Sequence, residues 1–223
     1  MAYLLIIIIA IAGMIVQSTL QAKFKKYGRI PLQAGLSGKE IAEMMLRDNG
    51  IHDVRVTSVR GALTDHYNPL KKTVNLSEPV YNSRSVAAAA VAAHECGHAV
   101  QHARGYQWLK MRSAMVPALN ISNKLVSILL IAGILLIKSF PFLLLAGILL
   151  FALTVVFSFV TLPVEYDASR RAKEWLDKSG LVNDTEKRQV ADALKWAART
   201  YVVAALSSLA TLLYYLQIYN SRR

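Results

Sequence analysis

The sequence is poor in cysteine and in acidic residues. Cys96 is the one cysteine among 223 residues, and 14 Asp and Glu stand against 26 Lys and Arg. A single thiol excludes a disulfide framework within the chain and every zinc site built on paired cysteines. Any metal site must therefore use histidines and carboxylates, and no carboxylate occurs between Glu95 and Glu165.

The apolar content sets the class of protein. Apolar residues make up 54% of the chain although its net charge is +12, and its mean hydropathy is +0.35. A soluble domain of this size cannot bury so much apolar surface, and a basic nucleic-acid-binding domain has ordinary hydropathy. No basic patch interleaved with aromatic residues, as in RNA-binding modules, is present. The composition favours a membrane protein that binds no nucleic acid.

Four apolar stretches are long enough to cross a bilayer. The first, residues 1–22, lacks the basic start and the cleavage site of a secretory signal, which indicates a retained anchor. Residues 116–162 predict a transmembrane hairpin in which Pro141 begins the second helix. Residues 200–223 are less apolar, so they either span the membrane or lie in its interface, and the small residues among them favour a span.

The basic residues predict an orientation. Of the 26 Lys and Arg, 22 lie within residues 22–115 and 163–199. Because cytoplasmic segments carry the excess of Lys and Arg, we expect the N-terminus outside and both of these segments in the cytosol, facing anionic lipid. The expected domains are an anchor (1–22), a cytosolic domain (23–115), a hairpin (116–162), cytosolic helices (163–199) and a C-terminal membrane or interfacial helix (200–223).

The first cytosolic segment has the pattern of a small α+β domain. Ser37 and Glu40 form a capping box that begins a helix, and Gly50 ends it. Apolar residues then alternate with polar ones in residues 54–59, and residues 73–77 predict another short strand after a turn-rich link. The fold class is therefore mainly α and polytopic, with a cytosolic α+β domain that contains a small sheet.

An alanine-rich helix predicted from Ser85 to Arg104 carries the sequence His94-Glu95-Cys96-Gly97-His98. His94 and His98 lie one turn apart on one face, which lets both imidazoles bind one zinc ion. Glu95 lies beside them, where it can act as a base on water at the metal, and Cys96 points the other way. The alternative to a metal site is an amphipathic helix that carries two histidines and a surface glutamate without binding a metal.

A catalytic zinc needs a third protein ligand. Six residues after His98, where one protease class has a histidine, the chain has Arg104. The first acid downstream is Glu165, in a helix expected to begin at Pro163, after the hairpin has returned the chain to the same side. Its spacing does not exclude Asp167 as the ligand instead. Small residues on the face of Glu165 should let the alanine-rich helix pack closely; they are Ala168, Ser169 and Ala172.

Three further residues have two interpretations each. His102 lies one turn beyond His98 and either supports the ligands or is a solvated surface histidine. His66 and Tyr67 could place a proton donor near the oxyanion of a tetrahedral intermediate. The structural alternative is a turn stabilised by the side chains of Asp65 and Asn68.

Four segments carry a resemblance to a known family. They are Asp65-His66-Tyr67-Asn68-Pro69, Val74-Asn75-Leu76-Ser77, Val91 to Ala99 and Leu162 to Ala172. With these segments the chain resembles, over nearly its whole length, the bacterial YugP-type membrane zinc metallopeptidases. More distantly it is similar to the HtpX and CAAX-protease group of membrane gluzincins.

The resemblance implies zinc held by His94, His98 and Glu165 at the cytosolic membrane face, with Glu95 as general base. It also implies a zincin-like domain in which a strand near the site receives extended substrate, here residues 73–77. The group usually has an Asp four residues after the ligand Glu, where this chain has Ser169, and Asp167 is a possible substitute.

The sequence therefore predicts a zinc endopeptidase of the bacterial plasma membrane. Its expected substrates are unfolded or flexible peptides, its surroundings are membrane lipids, and a membrane-protein partner or homo-oligomer stays open. The alternative function is a non-catalytic scaffold in which zinc only clamps two cytosolic segments together.

Overall fold

The computed structural model describes residues 2–221, so Met1, Arg222 and Arg223, the ends of the predicted anchor and of the predicted C-terminal helix, lie outside the described residues. Ten elements follow one another in this part of the chain. They are α1 (Ala2–Tyr27), α2 (Gly38–Asp48), β1 (Arg55–Val59), β2 (His66–Asn68), β3 (Thr73–Ser77), α3 (Glu78–Tyr81), α4 (Val86–Ala103), α5 (Gln107–Leu135), α6 (Pro141–Ser179) and α7 (Asp184–Ser221).

The chain divides into two compact units. One contains residues 1–15, 110–163 and 200–223, and the other contains residues 16–109 and 164–199. Among the described residues, the four helices α1, α5, α6 and α7 are long and apolar enough to cross a membrane. The mainly helical membrane protein with a small sheet, expected from the sequence, is therefore confirmed.

In the first unit, two glycines let α5 and α6 come into close contact. A Cβ placed on Gly133 of α5 lies 2.5 Å from the backbone of Leu144 in α6, and one on Gly147 lies 3.0 Å from the Leu130 side chain. Small residues let membrane helices approach to backbone contact in this way. The predicted helix start at Pro141 is confirmed.

The predicted break at Pro163 is wrong. Helix α6 is continuous from Pro141 to Ser179 with Pro163 inside it. Proline removes one backbone hydrogen bond, yet a helix tolerates this where packing on both sides holds its axis, and Val160 and Val164 are both buried. Glu165 consequently lies in the interior of a long helix and not in the first turn of a new one.

In the second unit, helices α2 and α4 form the centre of the core. The capping box that begins α2 is confirmed: the Ser37 hydroxyl accepts from the Glu40 amide, and the Glu40 carboxylate accepts from the Ser37 amide at 2.7 Å. The buried face of α2 packs on α4, where the Cys96 thiol donates to the Ala42 carbonyl at 3.5 Å. Burial raises the pKa of Cys96 well above its ordinary value, so the thiol stays protonated.

The three strands form a sheet in the order β1-β3-β2. Strand β1 pairs with β3 in parallel, from Arg55 opposite Thr73 to Val59 opposite Ser77. Strand β2 pairs with β3 antiparallel, with His66 opposite Asn75. The sequence indicated no strand at residues 66–68, and it predicted that substrate would add to residues 73–77. That prediction is wrong, because β3 is central and has a partner on both sides, which leaves β1 and β2 as the edges.

Candidate metal centre

The site forms where α4 and α6 approach at backbone distance. A Cβ on Gly97 of α4 lies 2.6 Å from the carbonyl oxygen of Ala168 in α6, and Ala168 and Ala172 are fully buried. The predicted small-residue contact is confirmed. Since nothing larger separates the helices, the carboxylate of Glu165 reaches the histidines of α4.

Three potential ligands lie together. One ligand atom from each of His94, His98 and Glu165 lies within 4.8 Å of the others. The Glu165 Oε2 oxygen lies 3.2 Å from His94 Nε2 and 3.6 Å from His98 Nε2. In a tetrahedral zinc site with bonds of about 2.0–2.1 Å, neighbouring ligand atoms are separated by about 3.3 Å. The donor set and its spacing therefore fit zinc.

Asp167 occupies a different environment. Its carboxylate accepts from Arg171 Nε at 2.5 Å and from Gln101 Nε2 at 2.9 Å, and it also pairs with Arg170. Of the two acids that the spacing allowed, the structure thus brings Glu165 to the histidines and Asp167 to a pair of arginines.

The unused nitrogen of each imidazole is also held. His94 Nδ1 lies 3.1 Å from the hydroxyl of Ser169, and His98 Nδ1 lies 3.0 Å from Gln101 Oε1. The amide nitrogen of Gln101 donates elsewhere, so its oxygen accepts, and we assign a proton to His98 Nδ1. The Nε2 atom of each histidine faces Glu165 and is the nitrogen that a metal would bind. Ser169, which stands where the resemblance led us to expect an aspartate, thus contacts His94, and Asp167 contacts Gln101, which in turn contacts His98.

Gln101 was not recognised in the sequence. It is fully buried, and its amide group donates to the Val164 carbonyl at 2.7 Å as well as to Asp167. The available signal was its position three residues after His98, on the same helix face.

We expect Gln101→Leu to weaken zinc binding about 10- to 100-fold, because the imidazole of His98 loses the acceptor that fixes its orientation. Competition with a chromogenic chelator measures the change. Gln107→Leu, at an exposed glutamine close in the chain, is the matched control and should bind zinc like the wild type. Equal affinity in both variants would contradict the role given to Gln101.

Burial and charge act in opposite directions on His98. Burial by itself lowers the pKa of His98, but the hydrogen bond and the charge of Glu165 raise it, and the net direction is upward. Glu165 is itself only 2% exposed. A buried carboxylate requires such partners, since an unpaired charge away from water is strongly disfavoured.

Glu95 is buried beside His94 on the same helix. Its carboxylate makes no hydrogen bond or ion pair with any residue from 2 to 221. Glu95 is still 8% exposed, and its oxygens are not among the described polar atoms that are buried without a partner, so the carboxylate keeps contact with water. A carboxylate of this kind is available to accept a proton, as a general base requires.

The other candidates form contacts of their own. The Tyr67 hydroxyl lies 2.7 Å from His102 Nδ1, and His66 Nδ1 lies 2.8 Å from the Thr64 carbonyl oxygen. The turn interpretation also has support, since Asp65 accepts from the Ser77 amide at 2.7 Å and Asn68 accepts from two amides after it. Burial, with a smaller contribution from the charge of Asp53, raises the pKa of Tyr67 to about 12, so this hydroxyl keeps its proton.

Residues 2–220 match a protein-family model described as "Putative neutral zinc metallopeptidase". A curated relative, "Putative membrane protease YugP" of Bacillus subtilis (strain 168), is 42% identical over 207 residues, which is 93% of this chain and 91% of the relative. No solved structure gives a significant match.

Proposed function

Because this chain belongs to the zinc metallopeptidase family of the matching protein-family model, we propose that it is a membrane-embedded zinc endopeptidase of the gluzincin type. The proposal gives His94, His98 and Glu165 the role of zinc ligands and Glu95 the role of general base. The observation that carries it is the combination of a closely spaced donor set with the Glu95 carboxylate beside it, which has no hydrogen bond or ion pair to any residue from 2 to 221.

His94, His98 and Glu165 would hold the zinc ion, which would supply a Lewis acid for the scissile carbonyl and would lower the pKa of water. Glu95 takes the proton of the attacking water and later delivers it to the leaving amine. Ser169 and Gln101 keep the two imidazoles oriented. His66 or Tyr67 donates a hydrogen bond to the developing oxyanion.

The substrates in this proposal are unfolded or flexible peptides. Such a chain can add to a free sheet edge through backbone hydrogen bonds. We favour the outer edge of β2 over that of β1, because Tyr67 of β2 contacts His102 at the end of the helix that carries the metal ligands.

The proposed setting is the bacterial plasma membrane, which the chain crosses several times with its N-terminus outside. Four apolar helices support this, as does the concentration of 22 of 26 basic residues in residues 22–115 and 163–199. The active site then works in the cytosol, surrounded by membrane lipids, and a homo-oligomer or a membrane-protein partner is compatible with it.

Casein hydrolysis by the purified, detergent-solubilised protein tests the function. We expect cleavage that a chelator abolishes and that about one equivalent of Zn²⁺ restores, because the proposed site holds one ion. Inverted membrane vesicles, which expose the cytosolic face, should cleave added casein, and right-side-out vesicles should not. A zinc-loaded protein that cleaves nothing would favour the scaffold in which zinc only ties α4 to α6.

A further inference from the structure

A cavity of about 410 Å³ lies in the same unit as the metal centre. Its walls come from the last turns of α1, the loop between β1 and β2, the start of α3 and the first half of α4. The lining is mainly apolar, and its principal residues are Phe24, Leu63, Val80, Ala87, Ala88 and Val91.

The cavity lies on the helix face that carries the ligands. Ala87, Val91, His94 and His98 follow one another at intervals of four, three and four residues, which places them in one row on α4. Val91 precedes His94 by about 4.5 Å along the helix axis. An extended peptide advances about 3.3 Å per residue, so a side chain one or two residues from a bond held at His94 reaches the cavity.

The chemistry of the walls favours an apolar guest. Two of the polar groups that line the cavity are already bonded: the Asp65 carboxylate accepts from the Ser77 amide and hydroxyl, and the Ser85 hydroxyl accepts from the Ala88 amide. Ala88 is buried but does not belong to the main hydrophobic core. Its small side chain leaves room that a larger apolar group can fill.

The strand next to the cavity indicates that the guest belongs to a peptide. Asp65 lines the cavity and His66, the next residue, begins the edge strand β2. A peptide added along β2 is therefore continuous with the cavity, and alternate side chains of an added strand are read by pockets of this kind. The volume lies in the lower part of the range of ligand pockets, about 300–1,000 Å³.

We propose that this cavity is the specificity pocket of the enzyme and that it receives a bulky apolar side chain of the substrate, one or two residues from the scissile bond. The inference rests on the proposed endopeptidase function. It names the substrate class as flexible segments that contain residues such as Leu or Phe.

Three variants test the pocket. Ala88→Leu fills it, Val91→Ala widens it, and Ala34→Leu makes the first change at an exposed position away from the cavity as a control. Mass spectrometry of cleaved peptide libraries gives the preferred residues, and kcat/KM for matched peptides gives the ratio of Leu or Phe to Ala at the selected position. Zinc content is measured for every variant as a check on folding.

We expect the wild type to prefer Leu or Phe and Ala88→Leu to reduce that preference at least about tenfold, the size of effect that one to a few methylenes have in an apolar pocket. Val91→Ala should shift the preference towards larger side chains, and Ala34→Leu should match the wild type. If Ala88→Leu does not bind zinc, the change of side-chain preference in Val91→Ala is sufficient to test the pocket.

The results that would overturn the specificity pocket differ from those that would refute the endopeptidase function. A wild type that cleaves peptides without an apolar preference, or with one that neither pocket variant changes, overturns the pocket and leaves the endopeptidase intact. Loss of a co-purified lipid from Ala88→Leu with unchanged peptide preference would identify an acyl chain as the guest and also overturn it. A wild type that cleaves no peptide refutes the endopeptidase itself, together with the inference built on it.

Discussion

Replacing Glu95 with glutamine is expected to abolish peptide cleavage and to leave about one equivalent of zinc bound. Glutamine keeps the size and most of the packing of the buried side chain but cannot accept the proton of the attacking water. General bases contribute about 10²- to 10⁴-fold to a rate, so the loss should be at least of this size. Casein cleavage and metal content measured on the same preparation check both parts.

The control for this variant is Glu43→Gln. Glu43 is exposed on α2 and pairs only loosely with Lys39, at 3.7 Å, and such surface pairs contribute little. We expect it to cleave casein like the wild type. If Glu95→Gln binds zinc and cleaves as fast as the control, Glu95 is not the base and the mechanism is wrong.

Replacing Glu165 with alanine is expected to remove zinc and activity together. The substitution deletes the anionic ligand and leaves the partly buried imidazole of His94 and the buried imidazole of His98 without the carboxylate that now lies 3.2 and 3.6 Å from them. The loss of zinc affinity should exceed the about 10- to 100-fold that loss of an outer partner of a ligand costs. Titration with a chelator of known affinity measures it, and circular dichroism shows whether the helices remain.

Variants of two other acidic residues of α6, Glu174 and Asp167, serve as comparisons for Glu165→Ala. Glu174→Ala removes an exposed carboxylate and should bind zinc normally. Asp167→Asn removes the charge that pairs with Arg171 but keeps the side chain that Gln101 contacts, so zinc should still bind. The assignment of the third ligand would be reversed if Asp167→Asn lost the metal and Glu165→Ala kept it.

The sequence was sufficient for the parts of the site that depend on local pattern. The spacing of His94 and His98 on one helix face follows from helix geometry alone. The absence of acids between residues 95 and 165, together with a hairpin that returns the chain, pointed to Glu165 but left Asp167 open. The structure brings these three side chains together, over a contact between small residues that the sequence also indicated.

The rest depended on contacts between distant segments. Pro163 is an ordinary helix breaker in isolation, and only packing of its neighbours shows that α6 continues. Strand β2 has three residues and no alternating pattern, so its pairing with β3 is visible only in three dimensions. Gln101 is an unremarkable polar residue until Asp167 and Val164 of α6 lie beside it.

Zinc content and casein cleavage, measured side by side for the wild type, Glu95→Gln and Glu165→Ala, test the central claim most directly. The wild type should bind about one zinc ion and cleave, Glu95→Gln should bind zinc without cleaving, and Glu165→Ala should do neither. Full cleavage by a zinc-free Glu165→Ala protein would contradict the assignment of a zinc peptidase to this site.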